Sequence, residues 1–129
     1  MPVTPPQPTS TGLDQNIAGL LSYVLGPLTG LVFFLLEKEN RFVRFHAMQS
    51  IVVGIASFAF WIVFSILSTI LAFVPILGWI LSAIVGMVAG LGFFVLWIVL
   101  MVKAFQCEEW EVPVLGKYAR QYSAPATVG

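Results

Sequence analysis

From Phe45 to Val102 the chain carries no Asp, Glu, Lys or Arg, and His46 is the one side chain in that stretch able to titrate near neutral pH. A soluble domain cannot absorb such a run, because it must dress its exterior in polar groups. Composition points the same way: of 129 residues, 59% are hydrophobic and 9% are charged, with a mean hydropathy of +0.97. The expected fold class is all-α, an integral membrane three-helix bundle with a disordered Pro-rich N-terminal tail. Its first partner is the lipid bilayer.

Residues 1–15 hold Pro2, Pro5, Pro6 and Pro8 among Thr, Ser and Gln, too little apolar surface to pack, so they read as a disordered tail. No Lys or Arg precedes the first apolar run and no Ala-x-Ala site follows it, so a removable signal peptide is not expected. Residues 16–120 form the three-span domain. Ile17 to Leu36 lacks any formal charge and matches a hydrocarbon core of ~30 Å at ~1.5 Å per helical residue. Phe45 to Phe73 and Trp79 to Val102 supply two more spans, separated by Pro75 and Gly78. A fourth span would leave no chain for the reversals. Residues 121–129 read as a flexible C-terminal tail, and Pro27 is expected to bend the first span.

All six basic residues, Lys38, Arg41, Arg44, Lys103, Lys117 and Arg120, fall on one side of a three-span arrangement. The positive-inside rule then places the C-terminus in the cytoplasm and the N-terminus outside, in what is expected to be a prokaryotic inner membrane. Trp79 and Trp110 read as interfacial anchors. The balanced charge, with no basic stripe, argues against a nucleic-acid partner.

Helices in lipid approach closely only where side chains are small. Ser22, Gly26 and Gly30 recur four apart, as do Ser82, Gly86 and Gly90, while Gly54 shares a face of the second span with His46, Gln49, Ser50, Ser57 and Ser68. These positions are expected to pack helices internally, or else to form an oligomer seam or a pore lining.

The stretch Glu37 to Ser50 concentrates the polar chemistry. Asn40 is expected to cap the second span, Glu37 to pair with Arg41 one turn on, and Phe42 and Phe45 to face inward. Arg41 and Arg44 belong at the headgroup level, near lipid phosphates or Glu108, Glu109 and Glu111 of the tail. His46 and Gln49 admit two readings, helix-to-helix hydrogen bonding or a titrating relay. No second His or intramembrane carboxylate accompanies them to make a metal site or a relay, and Cys107 stands alone.

Three segments carry a resemblance. They are Leu20-Leu21-Ser22-Tyr23 with Gly26, Phe33 to Glu39, and Phe42-Val43-Arg44-Phe45-His46-Ala47-Met48-Gln49-Ser50, with Ala104-Phe105-Gln106, Trp110 and Val112 to Gly116 added in the tail. Over roughly residues 17 to 120 the chain resembles a widespread family of small prokaryotic membrane proteins of uncharacterised role. That family is distantly similar to the twenty-kilodalton import component of the chloroplast inner envelope and to the MamF/MmsF type of magnetosome membrane protein. The resemblance implies a three-span helical membrane protein of unassigned activity.

The sequence offers no catalytic residue, cofactor site or metal site: no nucleophile has a base, and no acid pair is present. A non-enzymatic accessory or scaffold subunit, in a homo-oligomer or a larger membrane complex, is the expected role. The alternative is an oligomeric conduit for a peptide or small solute.

Overall fold

The computed structural model describes residues 3–123 and is all-helical: α1 (Gln15–Val24), α2 (Pro27–Leu36), α3 (Arg41–Leu71), α4 (Leu77–Phe105) and α5 (Leu115–Ser123). Among the described residues the only extended pairing is an isolated antiparallel bridge between Val3 and Glu108. Among the described residues, only α3 and α4 are long and apolar enough to cross a membrane. Both begin before the expected boundaries 45–73 and 79–102; α3, of 31 residues, already ends at Leu71, whereas α4, of 29 residues, runs past 102 to Phe105. The turn between them is tight, with Gly78 so close to the Leu71 carbonyl that no side chain fits there.

The first expected span is where the structure differs most. Instead of one bent helix, Ile17 to Leu36 forms two ten-residue helices, each ~15 Å long and so about half of a hydrocarbon core. They fold back on each other, as their neighbours along α3 show. Gly19 lies against Phe42, Tyr23 against His46, and Pro27 against Gly54 on the way in; Gly30 lies against Ala47 and Ser50, and Phe33 against the Phe42–Val43 cluster, on the way out. Ser10 and Glu37, which flank the hairpin, are hydrogen-bonded to each other. The hairpin therefore enters and leaves at the same end of the molecule. We call this end, which holds Arg41 and Phe105, proximal, and the end holding the α3–α4 turn distal.

Local chemistry explains the reversal. Gly26 has φ 67° and ψ −139°, a conformation open to glycine and few other residues, and Pro27 starts α2 with φ already suited to a first helical position. A chain reversal among apolar side chains is tolerable only when its freed backbone groups find partners. Thr29 serves three of them: its Oγ1 accepts from the Leu25 N–H and its one hydroxyl proton is shared between the Ser22 and Gly26 carbonyls. Ser50 Oγ of α3 donates to the Gly26 carbonyl at 2.8 Å. The feature read in sequence as a bend is a satisfied turn.

The Pro-rich segment likewise differs from the expected disordered tail. Its carbonyls have few N–H partners within the segment, and two buried amides provide them. Gln15 Nε2 donates to the Thr4 and Pro5 carbonyls, Asn40 Nδ2 donates to those of Gln7 and Pro8, and the Thr4 N–H reaches the Cys107 carbonyl at 2.8 Å. Asn40 also caps α3 as expected, its side chain accepting from the Val43 N–H at 3.0 Å. Asn40→Ala should thus lower stability by about 1 kcal/mol through the cap alone, and by more once the carbonyls of the Pro-rich segment, a strap across the proximal end, lose their donor. The check is thermal unfolding in detergent alongside protease sensitivity of residues 3–14; an unchanged midpoint and an unchanged strap would contradict it.

From Phe105 to Ser123 the chain stays packed on the rest of the molecule. Cys107 (φ 61°) and Val114 (φ 69°) sit in the left-handed region and bracket a segment that runs down along α3 before α5 climbs back. Residues 121–123 of the expected flexible tail close α5, whereas 124–129, like residues 1–2, lie outside the described residues. Both described ends of the chain, Val3 and Ser123, therefore lie at the proximal end with all six Lys and Arg residues. The structure is not a three-helix bundle with its ends on opposite sides.

Candidate functional site

The chain buries its polar chemistry at the proximal end, where α1, the first turns of α3 and the segment Glu108–Val112 meet. His46 is fully buried, edge-on to the rings of Tyr23, Phe42 and Phe45 at centroid distances of 5.5, 4.6 and 5.1 Å. Its Nε2 lies 2.8 Å from the Glu108 carbonyl oxygen and its Nδ1 lies 2.7 Å from Tyr23 Oη. A carbonyl can only accept, so Nε2 carries the proton and Nδ1 accepts from the tyrosine. Gln49 completes the set. Its Nε2 donates to Tyr23 Oη and to the Trp110 carbonyl, each at 3.0 Å, and its Oε1 accepts from the Val112 N–H at 2.9 Å. The two side chains thus give the extended segment the partners that a helix or sheet would otherwise supply.

Phe42 and Phe45 face inward as expected. Glu37 does not pair with Arg41. It is fully buried, and its carboxylate accepts from the Ser10 N–H and Oγ–H and from the Asn40 N–H, at 2.8 to 3.1 Å. The reason is geometric: the helix starts only at Arg41, so Glu37 sits outside it and has no position one turn below that residue. Arg41 is exposed. Arg44 turns away from the tail glutamates and donates to carbonyls at the ends of two helices, Phe34 and Glu37 at the end of α2 and Ser123 at the end of α5, while its guanidinium stacks 4.2 Å from the Phe34 ring.

Those glutamates have other partners. Lys103 meets Glu108 at 3.0 Å, and Arg120, lying over the Phe45 ring, meets Glu109 at 2.8 Å and Glu111 at 2.9 Å. Thr4 Oγ1 donates to the second oxygen of Glu109 at 2.7 Å, so this carboxylate joins strap, tail and α5. Burial alone would raise its pKa, but the Thr4 and Arg120 hydrogen bonds and the charge of Arg120 outweigh it and hold the group below the usual carboxylate range. A depressed carboxylate contributes stability that is present at neutral pH and lost as pH falls through its folded pKa. The strap should stay docked through the ordinary carboxylate range and release only in stronger acid; Glu109→Gln should flatten that response. Protease sensitivity of residues 3–14 against pH is the measurement, and release already at ordinary carboxylate pH would contradict the arrangement.

The small residues divide into two groups. A Cβ on Gly30 would lie 2.8 Å from the Ser50 Cβ and one on Gly54 would lie 2.5 Å from the Pro27 ring, so these two admit the hairpin against α3. Gly86 takes the Phe64 ring of α3 at 3.0 Å. Gly26 makes the turn, and Ser22 Oγ donates within α1 to the Ala18 carbonyl. Ser82 Oγ is shielded and has no hydrogen-bond partner, and Gly90 has open space around it, so Gly90 packs nothing within the chain. Sequence reasoning missed Tyr23, Gln15 and the Glu108–Val112 segment; the signal available for Tyr23 was its place in the Leu-Leu-Ser-Tyr run. Trp79 is exposed beside the distal turn and Trp110 packs against the Tyr23–Leu100 cluster.

Residues 13–119 match the model of the magnetosome magnetite crystal formation protein family. The chain is 49% identical over 117 residues to a UPF0132 membrane protein of Methanocaldococcus jannaschii, an alignment covering 89% of this chain and 94% of the other. It is 46% identical over 110 residues to a UPF0132 membrane protein of Archaeoglobus fulgidus, covering 84% and 95%. A second Methanocaldococcus jannaschii UPF0132 protein is 38% identical over 111 residues, covering 86% and 71%. No solved structure matches.

Proposed function

We propose, for a chain that belongs to the magnetosome magnetite crystal formation protein family and is a membrane protein like the relatives it matches, a non-enzymatic role as an accessory or scaffold subunit of a membrane assembly. The observation that carries the reading is how the buried polar side chains are used. Tyr23, Glu37, Asn40, His46 and Gln49 all hold one segment of the chain to another at the proximal end. They make a rigid platform, fixed to a pair of long apolar helices.

In this reading α3 and α4 cross the bilayer, and α1–α2 is a re-entrant hairpin that enters from the proximal side and returns to it. The outward side chains of the hairpin, Leu28, Leu31, Leu35 and Leu36, are exposed in the isolated chain and need hydrocarbon around them. All six Lys and Arg sit at the proximal end, which supports a cytoplasmic position, in a prokaryotic cell, for that end and with it for Val3 and Ser123. The sequence-based expectation of an outside N-terminus depended on a third crossing.

Support for an assembly comes from the distal half, where α3 and α4 pack on each other alone. Trp61 and Phe60 meet Phe93 there, while Gly90 and Gly92 leave room for another helix. Crosslinking in the native membrane followed by native mass spectrometry of the purified protein tests the role. A homo-oligomer or a constant partner is expected, and a monomer without neighbours would overturn it. Conductance of liposomes carrying the same preparation addresses the conduit alternative.

A further inference from the structure

We infer that this protein is a wedge whose partner is a curved bilayer, one convex on the face that holds the charged end. The inference rests on the re-entrant topology proposed above. It follows from how much helix lies at each depth.

In the proximal half, α1 and α2 lie beside α3 and α4, and α5 runs along the start of α3 with Val114, Tyr118 and Tyr122 facing out. In the distal half, among the described residues, only α3 and α4 remain. With each helix ~10–12 Å across, the section displaced in the proximal leaflet is about twice that in the distal one. The change is abrupt. Directly under the hairpin tip a recess of about 550 Å³ opens, walled by Pro27, Gly54, Ser57, Phe58, Phe93 and Trp97.

Of the side-chain polar groups lining that step, all but the Ser57 hydroxyl have partners. Ser50 Oγ bonds the Gly26 carbonyl and Trp97 Nε1 bonds the Tyr23 carbonyl. The recess thus calls for hydrocarbon, not for a polar ligand, and lipid chains of the distal leaflet supply it. Meanwhile the exposed leucines of the hairpin hold it in the proximal hydrocarbon, so it cannot relieve the crowding by lifting out. A membrane accommodates an inclusion that is wide on one side and narrow on the other most easily by bending toward the wide side, and partition of membrane-embedded helices is curvature-sensitive for this reason. The preference can be no larger than the difference in free energy between the flat and the curved state.

The test uses the full-length protein with Cys107→Ser, carrying either Ser10→Cys or Lys117→Cys, reconstituted from detergent into small sonicated and large extruded vesicles of one phospholipid composition. A membrane-impermeant maleimide reports which end faces outward. In small vesicles the outer leaflet is convex, so the wedge predicts that the ratio of outward-facing to inward-facing protein exceeds that in large vesicles by roughly two-fold or more, for both cysteines alike. Equal fractions in the two vesicle sizes, with both cysteines still labelled from the same side, would overturn the wedge and leave the topology standing. Labelling of the two cysteines from opposite sides would overturn the topology and the wedge with it.

Discussion

Gln49→Leu should cost about 3 kcal/mol of stability and release the C-terminal segment, because the substitution leaves the Val112 N–H and the Trp110 carbonyl buried without partners at ~1–3 kcal/mol each. Leucine keeps the volume, so the loss comes from polar groups and not from a cavity. Tyr23 Oη also loses its donor from Gln49, yet it keeps its own bond to His46 Nδ1, so the ring stays in place. The expected result in detergent is a lower unfolding midpoint together with proteolysis between Glu108 and Ser123, while α3 and α4 remain protected. Gln106→Leu, at an exposed position, is the control and should stay within about 0.5 kcal/mol of the parent. If both leucine variants behaved alike, the buried amide would not be what holds the segment.

The second large effect separates glycines that look alike in sequence. Gly30→Ala and Gly54→Ala each put a methyl group where 2.9 Å or less separates it from a neighbour, the Ala47 carbonyl and the Ser50 side chain in one case and the Pro27 ring in the other. Backbone and proline ring cannot move aside cheaply, so each should cost ~1–3 kcal/mol and the pair should loosen the hairpin from α3. Gly90→Ala meets nothing within 4 Å and should be neutral or stabilising by up to about 1 kcal/mol, as removal of a glycine from a helix interior usually is. Thermal unfolding of the three single variants decides the point, and three equal shifts would contradict the packing described.

The membrane class and the helical fold were legible because a long charge-free stretch leaves few alternatives. The cap at Asn40 and the inward Phe42 and Phe45 were also legible, since each depends on residues a few positions apart; Pro27 marked where the first apolar stretch is interrupted, but as a bend and not as the reversal observed. What stayed hidden depends on partners far away in the chain. Hydropathy over Ile17 to Leu36 is the same for one crossing helix and for two half-length ones, and the choice is made by Thr29 and Ser50, which satisfy the turn at Gly26. The Pro-rich segment lacks an apolar face, so composition makes it disordered; Gln15 and Asn40 order it by donating to its carbonyls. Glu37 was assigned to Arg41 by helical spacing, although the helix begins after it. Small residues at intervals of four identified the close approach at Gly30 but not the one at Gly19 against Phe42, and they equally identified Gly90, which approaches nothing.

The location of the two chain ends tests the topology most directly. In a background without Cys107, single cysteines at Ser10 and Gln121 and one at Phe73 in the distal turn can be probed in intact cells with an impermeant maleimide, before and after the membrane is opened. The re-entrant arrangement predicts that the first two stay protected until the membrane is opened while Phe73→Cys reacts from outside at once. Reaction of Ser10→Cys from outside, with Gln121→Cys protected, would mean that the first apolar stretch crosses the bilayer after all.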